Sequence, residues 1–150
     1  MKQILQDLSS GETLIVDSPA PMLSSSSLKI ASNVSLISAG TERMLVEFAQ
    51  SSYLDKARKQ PEKVKMVLDK VATDGLITTY DAVKSKLGQP IPLGYSNVGI
   101  VAESNVSDFS AGDRVISNGS HSEYVSVPKN LTAKIPDNVD DVTASFTVFL

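Results

Sequence analysis

Ile91-Pro92-Leu93-Gly94-Tyr95-Ser96-Asn97-Val98-Gly99-Ile100-Val101-Ala102-Glu103 is a β-type stretch punctuated by glycine at positions 94 and 99. Glycine inside a strand marks a bulge, a sharp bend or a close backbone approach, because the missing side chain leaves room that the fold needs. Strands bent in this way suit a sheet that curls on itself, so the expectation is a mainly β, partly open barrel. The flanks agree. Downstream, Ser110-Ala111-Gly112-Asp113 is turn chemistry leading into a strand at 114–117, Asn118-Gly119 turns again, and a strand at 122–127 stops at Pro128. Upstream, 2–8 and 12–17 flank the turn Ser9-Ser10-Gly11 and read as a hairpin. A third strand is expected at 28–38, where Leu28, Ile30, Val34 and Leu36 keep period two.

Residues 43–88 change character and read as a helical insertion. Val64, Val67, Leu68 and Val71 form one helical stripe, with Pro61 suited to the first turn, where a missing N–H costs nothing. Ile77, Tyr80, Val83 and Leu87 form a second, opened by Thr73-Asp74-Gly75 and closed by Gly88-Gln89-Pro90. Together they predict a helical hairpin. The basic residues of 55–70 fit either a solvated helix surface or a face for a partner. After Ile135-Pro136-Asp137, the acids Asp140 and Asp141 begin a further helix whose apolar residues run to Phe149-Leu150 without a cap.

Composition narrows the function classes. The chain has 150 residues, about one domain, with 14 Lys+Arg, 17 Asp+Glu and a net charge of −3. That balance gives no electrostatic footprint for nucleic acid or an anionic membrane surface. Zero cysteines remove disulfides, thiolate metal ligands and cysteine nucleophiles, and His121 is the only imidazole. The first residues carry polar and acidic side chains where an apolar signal core would lie, and no apolar run is long enough to span a membrane, so a cytoplasmic location is expected. Gly94 and Gly99 have phosphate-loop spacing, but no Lys-Ser/Thr follows, and Gly-x-Gly-x-x-Gly is absent.

Read in order, several short stretches resemble the N-terminal GroES-like domain of the medium-chain dehydrogenase/reductase superfamily, the group with zinc alcohol dehydrogenases and quinone reductases. Ser38-Ala39-Gly40-Thr41-Glu42 resembles its Cys-Gly-Thr-Asp segment and Gly94-Tyr95-Ser96-Asn97-Val98-Gly99 its Gly-His-Glu-x-x-Gly. Phe109-Ser110-Ala111-Gly112-Asp113-Arg114-Val115, His121-Ser122-Glu123-Tyr124-Val125 and Ile135-Pro136-Asp137 resemble later landmarks. With the helical insertion, the wording is most similar to bacterial bi-domain oxidoreductases, in which a Rossmann half follows and a Gfo/Idh/MocA-like dehydrogenase is fused downstream.

The resemblance implies a fragment of a longer chain, the substrate-side half of an NAD(P)-dependent oxidoreductase, inactive without its Rossmann half. It implies a small-molecule substrate, sugar-related by analogy alone, and leaves homo-oligomerisation open. Mapped onto this chain, the zinc ligands become Ala39 and Tyr95, and the adjacent glutamate becomes Ser96. A methyl group cannot ligate, and neutral hydroxyls are poor ligands, so a zinc-free domain is expected. Thr41 and Tyr95 are the implied catalytic hydroxyls, with Glu42 and Ser96 on the substrate-binding side and Glu42 holding the loop by backbone or arginine contacts. The same residues also allow Tyr95 to pack in the barrel and Thr41 to cap the helix beginning near Arg43. For His121, an exposed or hydrogen-bonded structural role is expected rather than general-base work. Two rival functions remain: a non-catalytic scaffold, and a protein-interaction domain using the helical hairpin.

Overall fold

The computed structural model describes residues 1–147, so the expected helical run through Phe149 and Leu150 lies outside the described residues. Among the described residues, eight strands and five α-helices follow one another: β1 (Lys2–Gln6), β2 (Thr13–Asp17), β3 (Ser27–Ser35), α1 (Thr41–Gln50), α2 (Tyr53–Lys59), α3 (Pro61–Asp74), α4 (Leu76–Leu87), β4 (Ile91–Pro92), β5 (Asn97–Ser104), β6 (Arg114–Ser117), β7 (Tyr124–Pro128), β8 (Thr132–Lys134) and α5 (Asp141–Ser145). The strands form two open antiparallel sheets, in the orders β2-β1-β4 and β7-β3-β5-β6-β8. The fold is therefore mainly β with a helical insertion and no closed barrel.

The chain divides into two compact units. The first comprises Met1–Ile4, Ile15–Glu42 and everything from Pro92 to the end of the described residues. Its five-stranded sheet buries both faces, because successive strand side chains alternate. Val115 joins Leu28, Ile30, Val101, Val125 and Val127 in one cluster, whereas its neighbour Ile116 joins Val98, Ile135 and Ala144 of α5 in another.

The glycine reading of β5 holds with a specific cause. A Cβ on Gly99 would overlap the Ala31 carbonyl oxygen and lie 2.8 Å from Ile30 Cγ2. At that point the β3–β5 register shifts between Ser32 and Val34. One extra residue in β3 flips the side-chain sequence, so Val34 packs with Val98 and Ile116 rather than with Leu28 and Ile30. The expected single period-two face across 28–36 is thus corrected: a bulge divides it. The strand also ends at Ser35, earlier than expected, and Leu36 N–H donates to the Ser96 carbonyl instead.

The second unit comprises Leu5–Leu14 and Arg43–Ile91. Its tight turn is built by Asp7, whose Oδ1 accepts from the N–H groups of Ser9 (2.7 Å) and Ser10 (3.1 Å). Four helices occupy the insertion: the two of the expected hairpin, α1 where a helix was expected near Arg43, and one more. Pro61 opens α3, and Gly75 and Gly88 end α3 and α4 as the sequence predicts. The additional α2 is capped by Ser52, whose hydroxyl accepts from Asp55 N–H at 3.2 Å. The predicted stripes are only partly used, three of four positions in the first and two of four in the second. Val64, Val67, Val71, Val83 and Leu87 are partly buried, but Leu68, Ile77 and Tyr80 stay 62%, 78% and 63% exposed. Lys56 is buried, and its ammonium donates to the carbonyls of Leu8 (2.7 Å) and Ala49 (2.8 Å), the latter near the C-terminus of α1.

Candidate functional site

Every expected site residue lies in the first unit. After β3, the chain turns through 36–40 into α1, and Ser38, not Thr41, caps that helix: its hydroxyl accepts from Thr41 N–H at 3.2 Å. Glu42 Oε1 reciprocates by accepting from Ser38 N–H at 2.8 Å. This resembles a capping box, with the acid one residue further on. The exposed Thr41 hydroxyl is therefore not needed as a cap, and the Tyr95 phenol donates to it at 3.4 Å. Such a contact is longer than an ordinary O–H···O bond, and catalytic hydrogen bonds without substrate are often long.

Glu42 is buried, and its second oxygen meets His121 Nε2 at 2.9 Å. It holds the loop by a backbone contact, as expected, and its side-chain partner is an imidazole rather than an arginine. His121 is only 5% exposed. Its Nδ1 lies 2.9 Å from Ser35 Oγ, its N–H donates to Leu93 O at 2.8 Å, and its carbonyl accepts from Ile4 N–H at 2.9 Å. Of the two structural roles expected for it, the hydrogen-bonded one is observed, and the burial was not foreseen.

On the other side, Gly94 has φ +91°, which only glycine adopts readily. A Cβ there would lie 2.7 Å from His121 Cγ and Nδ1, so the ring packs directly on the backbone that carries Tyr95. Ser96 is fully buried, and its hydroxyl donates to the Ser145 carbonyl at 2.5 Å, tying the start of β5 to α5. Asn97 donates to Ser32 Oγ (2.8 Å) and Ser120 O (3.3 Å). Arg114 anchors α5 from below through Asp141 (2.9 Å) and Val139 O (2.6 Å). Thr41 and Tyr95 thus meet at the surface, while Glu42 and Ser96 are buried. Two clefts of about 350 and 360 Å³ in this unit are lined by other residues, the larger including Ser32, Ser35, His121 and Ser122.

The donor set at the mapped metal position does not fit zinc. Ala39 offers a methyl group, and the Ser96 hydroxyl is already bonded and wholly buried. Among the described residues, no group of three or more His, Cys, Asp or Glu side chains is placed to hold a metal ion. Nor does the chain carry a glycine-rich dinucleotide loop. No described helix is long and apolar enough to cross a membrane. Sequence reasoning missed Ser35 and Ser38. Ser38 left a signal in its spacing to Glu42 ahead of a helical pattern; Ser35 left none.

No protein-family model and no curated protein sequence matches the chain. Solved structures do match its fold. They include a mycobacterial protein solved in complex with NADPH (TM-score 0.59, 21% identity, covering 97% of this chain and 35% of that one). Galactitol-1-phosphate dehydrogenase from Escherichia coli matches with TM-score 0.63 and 14% identity, over 97% and 41% of the two chains. The quinone oxidoreductase of Coxiella burnetii matches with TM-score 0.60 and 20% identity, over 97% and 40%. The chain spans between 35% and 43% of the length of such proteins. The shared architecture is a partial GroES-like fold.

Proposed function

We propose that this chain is the substrate-side domain of a zinc-free, NAD(P)-dependent oxidoreductase of the medium-chain dehydrogenase/reductase kind, working with a Rossmann half in a longer chain. The observation that carries this reading is the Tyr95–Thr41 hydroxyl contact at 3.4 Å, which joins the two segments that resemble the superfamily's zinc-ligand motifs. Support for the cofactor comes from fold neighbours that include a mycobacterial protein solved with NADPH and a quinone oxidoreductase. Bound on the missing half, a nicotinamide would supply the hydride.

What this chain's own residues do is polarise and protonate. A substrate carbonyl oxygen placed between the Tyr95 and Thr41 hydroxyls accepts their hydrogen bonds, which strengthen as negative charge develops on that oxygen. As carbon takes the hydride, the oxygen takes a proton from the hydroxyl pair, which is replenished from water. A placed general acid of this kind contributes roughly 10²–10⁴-fold. Glu42 and Ser96 serve substrate binding by holding the two segments that present the hydroxyls. The bi-domain resemblance makes a sugar-related carbonyl or alcohol the first substrate class to try.

The test is NAD(P)H-dependent turnover by the domain joined to its nucleotide-binding half. Thr41→Val and Tyr95→Phe should each lower kcat at least about tenfold, and the 150-residue chain alone should turn over nothing. Undiminished turnover in both variants, or stoichiometric zinc in the purified protein, would overturn the reading. A second reading, an interaction module, is favoured by the exposed Leu68, Leu76, Ile77 and Tyr80. Deleting 55–88 would then abolish partner binding while the five-stranded sheet persists.

A further inference from the structure

His121 is tied to four separate segments by four different atoms. Its N–H reaches Leu93, its carbonyl Ile4, its Nε2 Glu42 and its Nδ1 Ser35, all at 2.8–2.9 Å. Its ring also occupies the space where a side chain on Gly94 would be. Glu42 directly follows Thr41, and Gly94 directly precedes Tyr95. One buried imidazole therefore touches the immediate neighbour of each hydroxyl in the pair.

We propose that His121 is the positioning residue of the Thr41–Tyr95 pair: from its seat beside the Gly94 backbone, it sets their separation by gripping Glu42 through Nε2. This deepens the functional reading above and rests on it. One ring nitrogen, Nε2, meets the Glu42 carboxyl and the other, Nδ1, meets the Ser35 hydroxyl, each at 2.9 Å. Both nitrogens are engaged, so the ring itself has no lone pair or proton directed at substrate. Ser35–His121–Glu42 contains the residue types of an acyl-transfer triad, but its polarity is reversed: the hydroxyl meets Nδ1 and the acid Nε2. The Leu36 N–H beside Ser35 already donates to Ser96 O and is not free to hold an oxyanion. Positioning, not nucleophilic catalysis, is what this geometry provides.

The imidazole's two links can be cut separately. A glutamine amide nitrogen reaches approximately where Nε2 lies, and an asparagine amide reaches only to Nδ1. In the isotope-labelled 150-residue chain, His121→Gln should keep the nuclear Overhauser contact between the Tyr95 ring and the Thr41 methyl. His121→Asn should lose it, and Ser35→Ala, which removes only the Nδ1 partner, should keep it. In the joined protein, His121→Asn should lower kcat about 10- to 100-fold with KM little changed, the scale expected for reacting groups displaced by about 1 Å. His121→Gln should stay within about threefold of the parent. Retention of the Tyr95–Thr41 contact in His121→Asn, or equal losses in both His121 variants, would overturn the proposal. If His121→Asn does not fold, Glu42→Ala severs the same link, and persistence of the contact there has the same force. Failure of the functional reading has another signature: Thr41→Val and Tyr95→Phe turn over normally, whatever the contact does.

Discussion

Replacing Gly94 with alanine would put a methyl carbon 2.7 Å from the His121 ring and backbone nitrogen while holding an L-residue at φ +91°. Neither neighbour is the end of a flexible chain, so strain and clash add, and the cost should reach about 3 kcal/mol or more in urea unfolding. Thr79 makes the opposite case. It is 1% exposed, and its Oγ1 has no hydrogen-bond partner among the described residues. Thr79→Val keeps the shape and removes an unsatisfied hydroxyl, so stability should be unchanged or rise by up to about 1 kcal/mol; a loss of that size would show that the hydroxyl has a partner in solution. The two sites also show what a sequence reveals at this scale. A glycine requirement is local, and Gly94 and Gly99 announced themselves within the stretch 91–103, although only Gly99 lies in a strand. The partners of His121 lie 79 and 86 residues away, so nothing in its own neighbourhood named Glu42 or Ser35.

Among the elements, α5 offers the clearest dependence on pH. Asp140 caps it, and the Thr143 hydroxyl and then the Thr143 N–H hold the Asp140 carboxyl below its usual 3.8. A depressed folded pKa means that the stabilisation is complete above that value and fades as pH falls through the folded one. Asp113 behaves alike, lowered first by the Lys134 ammonium and then by Ser110 N–H. Acid titration of the fold should therefore steepen below about pH 3.8, and Asp140→Asn should flatten that limb, followed by circular dichroism. An unchanged acid limb would remove Asp140 from the account. Element boundaries were legible where punctuation was local: Pro61, Gly75 and Gly88 mark real helix ends. The bulge in β3 was not, because it exists only where Ser32–Val34 meets Gly99 across the sheet.

For the molecule as a whole, the two units differ in how much they bury. Two apolar clusters fill the faces of the five-stranded sheet, whereas α3 buries no residue and α4 buries only Thr79. Local opening should follow that difference, with amides of α3 and α4 exchanging with deuterium well before those of β3 and β5. Uniform protection would contradict it. The five-stranded sheet also leaves two strands at its margins instead of closing into a ring. One, β7, runs only five residues into Pro128, which has no N–H to offer; the other, β8, has three residues and ends on Lys134. Blunt, proline-stopped and cationic rims are poor templates for adding strands of another copy, so an unclosed sheet need not seed fibrils, and concentrated solutions should stay clear.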